Sequence, residues 1–201
     1  MTAILLCIAF VDRAASTWSH LYLQRREYFV WMQHLGDPIV PSASAGLLIA
    51  ACAVLAGRRP GRQVRVLLAC CVAEIMAAVL KDQLKLVFGR TWTETFIDNN
   101  PLWIQNGVYG FWPFHGGRGW ASFPSGHASV ISAPMAVLWS RVRSLRWLWG
   151  ACVVIVATGL FGADYHFSSD ILAGILLGIF CAAVTLVLIE RQESRAPLQA
   201  K

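Results

Sequence analysis

Five long apolar stretches run through this 201-residue sequence, and they restrict its possible folds more than any other feature. Each can form a helix of about 17–25 residues, which is long enough to cross about 30 Å of hydrocarbon. Only 14% of the residues are charged, whereas a soluble domain carries about 25%. We therefore predict an all-α fold, a polytopic membrane helix bundle forming a single domain over 1–201. The predicted spans are 38–57, 64–88, 125–142, 147–165 and 171–189.

Two N-terminal segments complete this scheme. The apolar stretch 1–11 is too short to cross a membrane alone. We interpret it as a shortened or truncated first helix of a six-helix bundle. The segment 12–36 mixes Trp, Tyr, Arg and His with apolar residues, a composition typical of an amphipathic helix that lies in the membrane interface.

Basic residues between the apolar stretches predict how the helices cross the membrane. Short cytoplasmic loops of membrane proteins are enriched in Lys and Arg. Three segments that strict alternation places on one side share this enrichment, which predicts that side to be cytoplasmic. The loop 89–124 and the turn before Asp170 then lie on the extracytoplasmic side. The basic residues are Arg58, Arg59, Arg62, Arg65, Arg141, Arg143, Arg146, Arg191, Arg195 and Lys201.

The net charge of +6 and the six cysteines could each suggest another class of function. Membrane orientation explains the basic residues, so we predict no nucleic-acid partner. All the cysteines lie in apolar stretches, and none belongs to a C-x-x-C pair. We predict that they are small hydrophobic residues, in neither a disulfide nor a metal site. They are Cys7, Cys52, Cys70, Cys71, Cys152 and Cys181.

Polar residues with catalytic potential gather on the predicted extracytoplasmic side. The sequence Pro-Ser-Gly-His at 124–127 leads from the long loop into a predicted helix, whose free N–H groups form a site for an anion. His166 and Asp170 have the i, i+4 spacing of one helical face, so the carboxylate can fix the imidazole tautomer. Two histidines and an anion site at one membrane face indicate phosphoryl chemistry.

At these residues the chain resembles the type 2 phosphatidic acid phosphatase (PAP2) superfamily, over about 37–189. The second motif of the family is PSGH, which is matched by Pro124, Ser125, Gly126 and His127. The third motif is SR-x5-H-x3-D. His166 and Asp170 match its catalytic end, and the Ile-Leu-Ala-Gly that follows is similar to the usual continuation in the family.

The first motif of the family, K-x6-RP, is matched only in part. We align it on Lys85, because K-L-V-F-G-R from Lys85 to Arg90 is similar to the usual start of this motif. Trp92 and Thr93 then stand where the family has Arg-Pro. An alignment on Arg90 instead would put Gln83 at the lysine position.

The Ser-Arg pair of the third motif is also replaced, by Gly159 and Leu160. Together with Trp92, this change removes two arginines that bind phosphate in typical family members. The candidates to compensate for them are Arg90, Lys81 and Arg118.

The resemblance implies a phosphatase that needs no metal ion or other cofactor and works through a phosphohistidine. In this mechanism His166 attacks phosphorus and Asp170 orients the attacking imidazole. His127 donates a proton to the leaving group and then activates water. The residues implied to hold the phosphate oxygens are Lys85, Arg90, Ser125 and Gly126.

The expected reaction is hydrolysis of a lipid phosphomonoester or diphosphate at the outer face of, by analogy, a bacterial inner membrane. Phosphatidic acid, phosphatidylglycerophosphate, undecaprenyl diphosphate and lipid A 1-phosphate are the candidate substrates. One alternative is a phosphotransferase that passes the phosphoryl group from His166 to a second lipid. Another is a non-catalytic protein that binds lipid phosphates. A vanadate haloperoxidase is more distant, because such relatives are normally soluble.

Overall fold

Helices form most of the protein, as the sequence predicts. The computed structural model describes residues 1–23, 26–58 and 61–195. At the N-terminus, α1 (Thr2–Leu6), a π-helical turn (Cys7–Val11) and α2 (Asp12–Leu23) form one continuous helical run. This run supplies the first helix of the predicted bundle. It is longer than the predicted 1–11, because Asp12 is buried against other helices and the helix continues through it.

The five predicted spans all form helices, and the prediction of an all-α bundle is confirmed. After α3 (Glu27–Gln33) come α4 (Ile39–Leu55), α5 (Arg62–Phe88), the short α6 (Trp103–Asn106), α7 (Gly126–Arg141), α8 (Arg146–Gly162) and α9 (Ser168–Arg195). The long loop 89–124 connects α5 to α7 and contains α6.

Within the described residues, four helical segments are long and apolar enough to cross a membrane. They are Glu27–Leu55, Arg62–Phe88, Arg143–Gly162 and Ser168–Arg191. The first begins earlier than the predicted 38–57 because α3 and the turn His34–Gly36 lead directly into α4. The fifth predicted span forms α7, which has 16 residues and is about 24 Å long. It packs between α5, α8 and α9, and half of its residues are buried.

Small residues bring α7 and α9 into close contact. A Cβ atom on Gly178 would lie 2.6 Å from the carbonyl oxygen of Ser129, so only glycine fits there. Gly174 lies equally close to Ser125. Small residues of this kind allow helix backbones to approach in membranes. At the ends of the two helices, the backbone N–H of Ser125 donates to the carbonyl oxygen of Asp170 at 3.0 Å. This packing holds the second and third motifs together.

The N-terminal run turns its polar side chains toward the bundle. Asp12, Ser16 and Ser19 are buried, and the Ser19 hydroxyl donates to the carbonyl oxygen of Phe161 at 2.7 Å. Large side chains of α2, such as that of Trp18, are exposed. An interfacial location for 12–36 remains a prediction.

Three of the arginines used to orient the chain lie at the end of the bundle opposite to the motifs at 124–127 and 166–170. Arg62 and Arg65 at the start of α5 line one surface pocket together with Arg141 at the end of α7. Arg141 also donates to Glu190 of α9 at 2.8 Å. Arg59 and Lys201 lie outside the described residues, as does the side chain of Arg195. The alternation of helices therefore agrees with the prediction, and the membrane face of each end remains a prediction.

Candidate active site

A pocket of about 290 Å³ opens at the end of the bundle where α5 ends and α4 and α7 begin. Residues from both predicted catalytic motifs line it, together with two lysines of α5. The side chains that matter for chemistry are Lys81, Lys85, Trp92, His127 and His166, with Asp37 just before α4.

The long loop folds back over this end and fixes two of the residues behind the pocket. The backbone N–H of Trp112 donates to the carbonyl oxygen of Gly89 at 2.8 Å, and that of Ser122 donates to Arg90 at 3.2 Å. Gly89 ends α5 with a positive φ of 56°. A Cβ atom there would lie 1.8 Å from the Trp112 carbonyl oxygen, so the turn requires glycine.

The second motif begins α7 beside the two lysines. A Cβ atom on Gly126 would lie 3.3 Å from Cδ of Lys81 and 3.7 Å from Nζ of Lys85. Glycine therefore lets both lysines approach the helix N-terminus, where backbone N–H groups are free for an anion. Ser125 is fully buried, and its hydroxyl has no hydrogen-bond partner among the described residues. The structure thus places Gly126 at the pocket and the Ser125 side chain beneath it.

His166 and Asp170 form the pair predicted from their spacing. Nδ1 of His166 lies 3.4 Å from Oδ2 of Asp170. The same carboxylate oxygen accepts the Ser122 hydroxyl at 2.6 Å and the Phe167 backbone N–H at 3.2 Å. These contacts hold Nδ1 toward the carboxylate and leave Nε2 on the opposite side of the ring. Burial lowers the pKa of the His166 imidazole, although Asp170 opposes this shift, so the ring is neutral at neutral pH.

Arg90 lies behind Asp170 and does not line the pocket. Its fully buried guanidinium donates through Nη1 to Oδ1 of Asp170 and to the Ser169 hydroxyl, the latter at 2.6 Å. Through Nη2 it donates to Oδ2 of Asp12 at 2.8 Å and to the Tyr109 hydroxyl at 2.9 Å. Burial alone would lower the pKa of Arg90, but Asp170 and Asp12 raise it. The guanidinium therefore stays charged and fixes Asp170 against His166.

Sequence reasoning missed Asp12. This carboxylate accepts the Ser169 backbone N–H at 2.9 Å as well as the Arg90 guanidinium, and it is fully buried. The sequence feature that could have identified it is a single acidic residue directly after the apolar stretch 1–11. Ionisable residues in such positions usually pair with a partner inside the bundle. Its partners lie more than seventy residues away in sequence, so no local pattern identifies them.

Removal of the Arg90 charge is expected to destabilise the fold. Arg90→Met leaves the buried carboxylates of Asp12 and Asp170 without a cation, and such losses cost about 3–5 kcal/mol. Thermal and denaturant unfolding in detergent measure the effect. Arg118→Met is the matched control, because Arg118 is an exposed arginine of the same loop. Equal stability of the two variants, with weaker substrate binding in Arg90→Met alone, would instead place Arg90 at the phosphate.

The two positions where the family has arginines contain no cation here. Trp92 is buried, and its indole N–H donates to the carbonyl oxygen of Arg118 at 2.9 Å. Its ring lies 5.0 Å from the His166 ring and 5.6 Å from Nζ of Lys85, so it forms a wall of the pocket. Leu160 is fully buried in an apolar cluster with residues of α7 and α9.

Lys81 and Lys85 are the cations that line the pocket. They lie four residues apart on α5 and therefore share one helical face. Nζ of Lys81 donates to the exposed Asp82 at 2.6 Å. Of the three candidates to replace the missing arginines, the structure brings Lys81 to the pocket, whereas Arg90 lies behind Asp170 and Arg118 is not among the lining residues.

His127 approaches a second carboxylate that sequence reasoning also missed. Its Nε2 lies 3.3 Å from Oδ1 of Asp37, and about a third of its side chain is exposed. Oδ2 of Asp37 lies 2.6 Å from Nδ1 of His34. His127 and His166 thus line the same pocket, each with an acidic neighbour.

Together the fold and the pocket define an integral membrane helix bundle with a two-histidine, two-lysine site at one end. The sequence model of the PAP2 superfamily matches residues 63–194, and the chain belongs to this superfamily. The family resemblance predicted from the motifs is confirmed.

Known proteins similar to this chain agree with that assignment. The lipid A 1-phosphatases of Rhizobium johnstonii and Rhizobium etli are each 26% identical to it over 117 residues, or 58% of the chain. These alignments cover 45% and 47% of the two relatives, so the chain matches about half of their length. The crystal structure of a transmembrane PAP2 type phosphatidylglycerolphosphate phosphatase from Bacillus subtilis has a similar fold. Its TM-score is 0.52 at 20% identity, with 94% of each chain covered.

Proposed function

We propose that this protein hydrolyses a phosphomonoester or diphosphate of a lipid, without a metal ion, through a phosphohistidine on His166. The observation that carries the proposal is the convergence of His166, His127 and the lysine pair Lys81 and Lys85 on one pocket. A nucleophile, a proton donor and two cations are the groups that phosphoryl transfer to histidine requires.

In the first step, the Nε2 lone pair of His166 attacks phosphorus while the bond from phosphorus to the leaving oxygen breaks. Asp170 stabilises the positive charge that develops on the imidazole, and Arg90 holds Asp170 in place. Asp37 and the negative charge of the bound phosphate favour the protonated form of His127. The imidazolium then donates its proton to the leaving oxygen. General acid catalysis of this kind contributes about 10²–10⁴-fold to the rate.

In the second step, His127 accepts a proton from water, whose oxygen attacks phosphorus as the bond to Nε2 breaks. Inorganic phosphate leaves and His166 returns to its neutral form. Lys81, Lys85 and the backbone N–H of Gly126 stabilise the phosphate oxygens in both steps. Ser125 contributes through its position at the start of α7, since its hydroxyl is buried.

The substrate class follows from the position of the pocket. The pocket lies at an end of apolar helices, and Val40, Trp92 and Tyr165 line it beside the charged groups. A phosphate on a lipid headgroup reaches such a site without leaving the bilayer. Similarity to lipid A 1-phosphatases supports this class. We propose that the site faces the extracytoplasmic side of a bacterial inner membrane, because the arginines lie at the opposite end.

A phosphate-release panel in detergent tests the proposal. Phosphatidic acid, phosphatidylglycerophosphate, undecaprenyl diphosphate and lipid A are compared with soluble glycerol 3-phosphate. We expect release from at least one lipid, far above that from the soluble ester, and the same rate after treatment with a chelator. No release from any lipid would contradict hydrolysis, and phosphate appearing on an acceptor lipid would indicate a phosphotransferase.

Lys81 is expected to contribute to phosphate binding. Lys81→Met removes one charged hydrogen-bond donor, and such bonds contribute about 1.5–3 kcal/mol, so kcat/KM should fall by about ten- to hundredfold. Steady-state kinetics on the preferred lipid measure this fall. Arg118→Met is the matched control, because Arg118 is an exposed cation outside the pocket. Unchanged kinetics in Lys81→Met would leave Lys85 as the phosphate-binding lysine.

A further inference from the structure

Three potential metal ligands meet beside the pocket, and the proposed reaction uses only one of them. They are His34, Asp37 and His127, and one ligand atom from each lies within 4.8 Å of those from the other two. Oδ2 of Asp37 is 2.6 Å from Nδ1 of His34, and Oδ1 is 3.3 Å from Nε2 of His127. The two imidazole rings meet edge to face at 5.8 Å.

The fold brings these residues together from separate parts of the chain. His34 begins the turn His34–Gly36 between α3 and α4, and Asp37 follows it directly. His127 is the second residue of α7. A Cβ atom on Gly36 would lie 3.7 Å from Ile131, so the turn packs against α7 and sets the separation of the ligands.

Two imidazoles and one carboxylate are a ligand set that suits Zn²⁺. Zinc bonds of about 2.0–2.2 Å place the ligand atoms of a tetrahedral site about 3.3–3.6 Å apart. The observed separations reach this range after small side-chain rotations, because His34 and Asp37 are both close to half exposed. Three protein ligands leave the fourth position open, and Asp37 and His127 also line the pocket.

A buried amide adjoins His34 and can set the tautomer that metal binding requires. Gln33 is fully buried, and its Oε1 has no hydrogen-bond partner among the described residues. Its Nε2 lies 3.4 Å from Nε2 of His34. If the amide turns over, Oε1 accepts the N–H at Nε2 of His34, and the lone pair at Nδ1 then faces Asp37. Metal-binding histidines commonly have such a partner on the second ring nitrogen.

We propose that His34, Asp37 and His127 bind one Zn²⁺ ion and that the bound ion inhibits the enzyme. Zinc is coordinated by the Nε2 lone pair of His127. This nitrogen can then neither donate a proton to the leaving group nor accept one from water. The inhibitory part rests on the proposed function, whereas zinc binding itself does not. Replacement of His34 removes a ligand that the proposed reaction does not use.

Cobalt substitution tests binding independently of activity. Purified full-length chain in detergent is treated with a chelator, dialysed and titrated with Co²⁺, whose visible absorption is strong in tetrahedral sites. We expect one equivalent to produce this spectrum and Zn²⁺ to displace it. His34→Ala and Asp37→Asn should each lose the spectrum, and His115→Ala, which removes an exposed histidine of the long loop, should keep it. An equal spectrum in His34→Ala, or none in the natural chain, would overturn the site.

Phosphate release then tests inhibition. Loss of even an outer partner weakens metal binding by about 10–100-fold, so loss of a ligand in His34→Ala should raise the inhibitory Zn²⁺ concentration by at least about tenfold. Basal activity without zinc should stay unchanged. Equal zinc sensitivity in His34→Ala and the natural chain would overturn the proposal. A chain that binds Co²⁺ stoichiometrically but releases no phosphate would contradict the proposed function and leave the metal site standing.

Discussion

His166→Ala is expected to reduce phosphate release to the uncatalysed background. The variant has no Nε2 atom to form the bond to phosphorus. The Ser122 hydroxyl also contacts the Asp170 carboxylate, but it is fully buried and does not line the pocket. Loss of a covalent nucleophile has removed about 10⁶ in kcat in a well-studied hydrolase. The measurement is release of inorganic phosphate from the preferred lipid, at substrate concentrations that saturate the natural enzyme.

Two controls separate the loss of chemistry from the loss of structure. His166 is buried against Trp92, so an alanine leaves a cavity, and thermal unfolding must show that the variant is folded. His166→Gln fills more of this space and should be equally inactive. His115→Ala removes a histidine that stacks on Trp120 away from the pocket and should keep full activity. Activity in a folded His166→Gln variant would contradict the mechanism.

His127→Ala is expected to lower kcat by about 10²–10⁴-fold for lipid substrates, because their alkoxide leaving groups need a proton. With an aryl phosphate, the rate of the first step should fall much less, because the aryl leaving group is stable without a proton. Hydrolysis of the phosphohistidine also needs His127 as the base, so the variant should accumulate phosphorylated protein with the aryl substrate.

Rapid-quench kinetics measure these two steps separately. A burst of the aryl alcohol followed by slow phosphate release is the expected pattern for His127→Ala. An equal loss of rate for lipid and aryl substrates, with no burst, would show that His127 does not act as the acid. In that case its contact with Asp37 has only a structural role.

The helices and both catalytic motifs could be predicted from the sequence, because each depends on residues that are close together in the chain. The apolar stretch 171–189 needs no distant partner to form a helix in a membrane, and α9 contains it. The pairing of His166 with Asp170 follows from their spacing alone. The short α7 differs from a typical membrane span in that it packs among other helices. The sequence does not show this packing.

The contacts that hold the catalytic residues in place could not be predicted from the sequence, because they join residues that are distant in the chain. Arg90 was predicted to hold phosphate, and its role there remains a prediction, but the structure pairs it with Asp12 and Asp170. Only the fold shows that Asp12 reaches this network. Sequence likewise gave no means to choose between Lys81, Arg90 and Arg118 as substitutes for the missing arginines. The packing of α5 beside Gly126 favours Lys81.

Isolation of the phosphorylated intermediate tests the central claim most directly. The chain is mixed with lipid substrate labelled in the phosphate, quenched in base and digested, and the label is located by mass spectrometry. The account predicts a base-stable, acid-labile phosphoryl group on His166, formed and lost at rates that match turnover and absent from His166→Gln. Rapid phosphate release with no label on His166 at any time, in the natural chain and in His127→Ala, would contradict it.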